Sequence, residues 1–159
     1  MSFSIAGKTA VVTGAANGVG LAIARHFVAR GANVMFADMD EERLIEEIGD
    51  IEDDDEGTTG YFAGDLREKL NVANLLSATL DRFDRVDILV NGSRQMLAAD
   101  PLNADDDAVT TLLNQNLMTS LRLCQIFSKR MIKQAEATEG NAPVGSIINL
   151  SSIAARRTQ

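Results

Sequence analysis

Five short runs of nearly unbroken hydrophobicity punctuate the chain: Thr9-Ala10-Val11-Val12, Val34-Met35-Phe36-Ala37, Tyr61-Phe62-Ala63, Ile88-Leu89-Val90 and Ile147-Ile148-Asn149-Leu150. Runs of this length suit strands buried on both faces. Longer amphipathic stretches lie between them. Ile23, Phe27 and Val28 mark a helix over about residues 18–30 that stops at Gly31, a C-terminal cap. Leu44, Ile45, Ile48 and Ile51 make a narrow apolar stripe on a second, and Val72, Leu75, Leu76, Leu80 and Phe83 mark a third over about 67–83. A fourth stretch, from about 105 to 136, carries Leu112, Leu113, Leu117, Met118, Leu121, Leu123, Cys124, Ile126, Phe127 and Met131. At 100° per residue these cover well over half of its circumference, more than one sheet can bury. It reads either as a deeply buried core helix or as one that meets its own sheet on one side and another subunit on the other. The alternation of strand and helix predicts an α/β fold with a parallel sheet, and Pro101 and Pro143 fall in connections.

Composition narrows the picture. At 159 residues, 45% hydrophobic and 24% charged, the chain reads as a single domain over 1–159. A lone Cys124 and a lone His26 leave no internal disulfide and no zinc cluster, so no metal is expected and a reducing, cytoplasmic setting is the natural one. His26, beside Arg25, reads as a partly exposed structural residue. The net charge of −8 disfavours nucleic acid as a partner. No apolar run approaches the ~20 residues that span a bilayer, so no membrane is expected either. About half of the carboxylates crowd between Asp38 and Glu56, a solvated helix face running into a loop.

The chemistry begins where the first strand runs into Thr13-Gly14-Ala15-Ala16-Asn17-Gly18-Val19-Gly20 and a helix opens. A helix N-terminus offers unpaired N–H groups and the positive end of its dipole to a diphosphate, and close approach requires glycine. The spacing here differs from the commonest dinucleotide fingerprint, G-x-G-x-x-G, but its place after a buried strand is the same. Asp38, 18 residues after Gly20 at the end of the second strand, is placed to accept hydrogen bonds from the adenosine ribose. With no Arg or Lys at Asn17, Met39 or Asp40 to hold a 2′-phosphate, NAD(H) is favoured over NADP(H). Asp38 could also cap the next helix.

Taken with Gly64-Asp65-Leu66, Asp87 to Asn91, Asn116-Leu117 and Gly145 to Ser152, these residues occur in the order of the landmarks of the short-chain dehydrogenase/reductase family, which the chain resembles over nearly its whole length. The resemblance implies a Rossmann-type, doubly wound parallel sheet of order 3-2-1-4-5. It also implies hydride transfer between a nicotinamide and a small alcohol or carbonyl substrate. By position, Gly14, Gly18 and Val19, with Asn17 and Gly20 in the same turn, would line the diphosphate. Asp65 and Leu66 would face the adenine, and Asn91 would sit over the adenosine ribose. Asn116 and Ser152 would belong to the family's proton relay, with Asn114 and Ser151 the nearest rivals. The long fourth helix would build a homodimer or tetramer.

Two departures stand out. The family commonly reads Asn-Asn-Ala-Gly after the fourth strand, where this chain has Asn91-Gly92-Ser93-Arg94, so Arg94 points either to solvent or to an anionic group. The family's Tyr, followed four residues later by Lys, has no counterpart. The one tyrosine, Tyr61, has Asp65 four positions on and reads as a core residue. The expectation is therefore the N-terminal part of a longer enzyme with the last strands of the fold missing. The alternative is a catalytically silent dinucleotide-binding or assembly protein.

Overall fold

The computed structural model describes residues 4–52, 58–98, 100, 102–103, 107–137 and 145–153. Strands β1 (Thr9–Thr13), β2 (Asn33–Asp38), β3 (Thr59–Ala63), β4 (Ile88–Asn91) and β5 (Ser146–Asn149) form one sheet in the order β3-β2-β1-β4-β5. All four pairings are parallel, so the doubly wound 3-2-1-4-5 arrangement is the one the chain adopts.

Side chains alternate across a strand, which gives β1 two buried faces. Ala10 and Val12 pack with Ala24 of helix α1 (Gly18–Ala29) and with Leu44 and Ile48 of α2 (Glu41–Glu52). Val11 faces the opposite layer, with Val72 and Leu75 of α3 (Lys69–Phe83) and Leu123, Phe127 and Met131 of α5 (Thr119–Glu136). Hydrophobic runs in β1, β2 and β4 are thus sealed on both sides. The edge strands are not. Tyr61 on β3 is 42% exposed, which corrects the core reading of that ring, and Ile148 on β5 is 41% exposed. An edge strand has a neighbour on one side only, and a short apolar run does not reveal its place in the sheet.

Helix α1 closes on Gly31, whose N–H reaches the Val28 carbonyl at 2.8 Å, as the sequence predicts. Helix α3 ends instead on Asp84 in the left-handed conformation (φ 62°). The fourth helical stretch departs furthest from expectation. It consists of α4 (Ala108–Leu112), a π-helical segment (Leu113–Met118) and α5. The Thr119 N–H and its Oγ1 both donate to the Asn114 carbonyl, the latter at 2.9 Å, which holds the widened turn. Leu123, Phe127 and Met131 are buried against the sheet, whereas Leu113, Leu117 and Leu121 are exposed. Pro101, Pro143, the carboxylates at 53–56 and the Ile51 side chain lie outside the described residues. Among those described, no helix is long and apolar enough to cross a membrane.

Candidate functional site

Sheet register brings the chemistry to one rim. Thr13 pairs with Ala37, Asp38 with Ala63 and Asn91 with Asn149, so these residues end their strands at the same carboxyl edge. From β1 the chain turns into a helix on one face, and after β4 it crosses to the other. A crevice at such a reversal is where doubly wound sheets bind ligands.

The three glycines of the turn do different work. Gly14 has φ +72°, and a Cβ there would lie 2.9 Å from the backbone of Gly92 and Ser93. A Cβ on Gly20 would stand 2.0 Å from the Gly14 carbonyl oxygen. Both let the chain pack on itself. Gly18, at φ +54°, has nothing within 4 Å of a Cβ and leaves the helix mouth open. Asn17, the N-cap, is extended and makes no side-chain bond to the helix, and no acidic residue occupies the first turn. The amides at this end and the positive end of the dipole are therefore left for an outside anion. A cradle that a side chain would fill, with uncapped amides behind it, fits a dinucleotide's diphosphate. Val19 is exposed beside it.

Asp38 is joined to that turn. Its Oδ2 accepts the Ala16 N–H at 3.1 Å, and its Oδ1 accepts those of Met39 at 2.7 Å and Asp40 at 3.3 Å. A carboxylate has about four lone-pair sites, and with three taken Oδ2 keeps one for a ribose hydroxyl. Asp65 faces Arg67, whose Nε donates to both carboxylate oxygens at 2.9 Å and whose Nη2 donates to Oδ2 at 2.6 Å. These bonds hold the Asp65 carboxyl below its ordinary range. Leu66 is buried in the layer shared with α3 and α5. Asn91 is 5% exposed; its Nδ2 donates to Asn149 Oδ1 at 2.7 Å and approaches the Cys124 sulfur at 3.3 Å, while its Oδ1 is buried without a partner.

The loop after β4 is held from three sides, and sequence reasoning singled out only one of the residues responsible. Asn116, in the π segment, clasps the Gln95 backbone: its Oδ1 accepts the N–H at 2.8 Å and its Nδ2 donates to the carbonyl at 2.9 Å. Thr13 Oγ1 accepts the N–H groups of Gly92 and Ser93 at 3.1 Å each and donates to the Val90 carbonyl at 3.3 Å. Gln115 Nε2 donates to Ser93 Oγ at 2.9 Å. A threonine ending a buried strand was the available signal for Thr13; nothing marked Gln115. Arg94 is exposed, its guanidinium lying 3.4 Å from the Met96 sulfur. Ser152 is exposed just beyond β5, where the Leu150 N–H reaches the Asn91 carbonyl at 3.2 Å.

Comparison with known proteins agrees with this geometry. The family model for the short chain dehydrogenases matches residues 8–159. The chain is 34% identical over 158 residues to a D-threitol dehydrogenase of Mycolicibacterium smegmatis, covering 96% of this chain and 55% of that one. It is 31% identical over 152 residues to an L-fucose dehydrogenase of Rattus norvegicus, covering 92% and 50%. A solved structure from Novosphingobium aromaticivorans matches with a TM-score of 0.87 at 27% identity, over 97% of this chain and 56% of that one. The chain thus spans about half the length of these relatives. Sheet order, glycine turn, acidic residue on β2 and a family match over nearly all of its residues agree: the chain belongs to the short-chain dehydrogenase family.

Proposed function

We propose that this chain is the cofactor-binding part of an NAD(H)-dependent oxidoreductase acting on a small alcohol or carbonyl compound. The observation that carries the reading is the 3.1 Å bond from the Ala16 N–H to the Asp38 carboxylate, which makes the diphosphate turn and the ribose acceptor one unit. The bound nicotinamide supplies the redox chemistry. The chain's own residues bind and orient. Gly14, Asn17, Gly18, Val19 and Gly20 cradle the diphosphate, and Asp38 accepts from the adenosine ribose through its remaining site and repels a 2′-phosphate. Asp65 and Leu66 border the adenine, and Asn91 stands at the β4 end of the adenosine site. Asn116 and Ser152 serve the proton relay. The exposed leucines of the π segment and α5 join copies of the chain into a homodimer or tetramer in the cytoplasm.

Titration with NADH and NADPH, followed by nicotinamide fluorescence, tests the cofactor assignment. The protein binds NADH more tightly, and Asp38→Ala weakens NADH binding and raises the NADPH-to-NADH affinity ratio. An unchanged ratio, or no NADH binding at saturation, overturns it.

A further inference from the structure

We infer that Gln115 is a positioning residue for the nicotinamide half of the cofactor, acting through Ser93; the inference rests on the dinucleotide reading above. Asp38 fixes the adenosine half over β2, and the turn after β1 holds the diphosphate. The other half of the cofactor must then extend over β4 and β5, against the loop that begins at Gly92.

Main-chain bonds hold most of this loop. Thr13 takes the amides of Gly92 and Ser93, and Asn116 takes the backbone of Gln95. The 2.9 Å bond from Gln115 Nε2 to Ser93 Oγ is different, because it holds a loop side chain. The Ser93 Cα would lie 2.9 Å from a Cβ built on Gly14, so Ser93 borders the glycine turn on the side of β4. The π segment makes the arrangement possible. In a regular α-helix consecutive side chains diverge by about 100°. Here Gln115 and Asn116, adjacent in the widened turn, both reach the same loop. Gln115 acts through Ser93 and is not itself a catalytic residue.

The test compares NADH with ADP, which carries the adenosine and the diphosphate but no nicotinamide riboside, on the intact protein. Gln115→Met keeps the length of the side chain and removes the donor. NADH affinity falls about fivefold, the worth of roughly one ordinary hydrogen bond, while ADP affinity stays within about twofold. Ser93→Ala gives the same loss and carries the test if Gln115→Met does not fold. The double variant loses no more than either single one. Gln115→Glu, which accepts from the Ser93 hydroxyl instead of donating to it, recovers NADH affinity toward the starting value. Equal weakening of NADH and ADP, losses that multiply in the double variant, or unchanged NADH affinity in Gln115→Met overturns the inference alone. Failure of the unaltered protein to bind NADH overturns the dinucleotide reading and the inference with it.

Discussion

Gly14→Ala and Gly18→Ala separate the two duties of the glycine turn. Both positions have positive φ, +72° and +54°, so an alanine at either costs about 1–2 kcal/mol of backbone strain. Only Gly14 adds a clash. Its Cβ would meet Gly92 C and O and Ser93 Cα at 2.9 Å, and all three are backbone atoms that cannot swing aside. Overpacking of this kind costs about 1–3 kcal/mol, which brings Gly14→Ala to roughly 2–5 kcal/mol. For a chain of this size, each kcal/mol lowers Tm by about 2–4 °C. Thermal unfolding followed by circular dichroism should therefore show Gly14→Ala melting roughly 4–20 °C lower, and Gly18→Ala only about 2–8 °C lower. Binding should rank by a different cause. A Cβ on Gly18 projects into the open mouth of α1, so NADH affinity falls in Gly18→Ala even where its fold is nearly intact. If Gly18→Ala melts lower than Gly14→Ala, or if Gly18→Ala binds NADH as well as the unaltered protein, this division of labour is wrong.

Two further outcomes follow from the geometry. Burial pushes the Asp87 carboxyl up, but the Arg85 guanidinium, the Thr9 N–H at 2.9 Å and the charges of Arg85 and Lys8 outweigh it, and the group ends below its ordinary value. The folded chain then binds fewer protons at Asp87 than the unfolded chain does, so this stability is present above about pH 4 and is lost as pH falls through the lower, folded value. Urea midpoints across the acid range should fall more steeply for the unaltered protein than for Asp87→Asn; parallel curves would dismiss the role. Asn116→Ala removes both bonds to the Gln95 backbone, so the Gln95 amide should exchange with solvent markedly faster while that of Val12, in the central strand, keeps its protection. Unaltered exchange at Gln95 would show that the loop is held without Asn116.

Periodicity and punctuation determined much of this protein. The five hydrophobic runs mark the five strands, the α1 boundaries agree to within a residue, and Gly31 caps the helix it was expected to cap. Such features are written in residues a few positions apart, where sequence reading is strong. Asp38 was also legible, because the distance from a glycine turn to the end of the next strand is set by one crossover helix.

Tertiary structure alone decided the rest. Tyr61 became exposed because β3 is an edge, a fact about the neighbours of the strand and not about its residues. The break of the fourth helical stretch into a π segment depends on the Asn114 and Thr119 bonds, which leave the apolar pattern unchanged. Thr13 meets Ser93 across 80 positions and Gln115 meets Ser93 across 22, because β4 inserts beside β1 and the π segment lies over the loop that follows. Hydrophobic spacing fixes which face of an element is buried. Which polar side chains then meet across the rim is set by sheet order and register, and these exist only once the strands have paired.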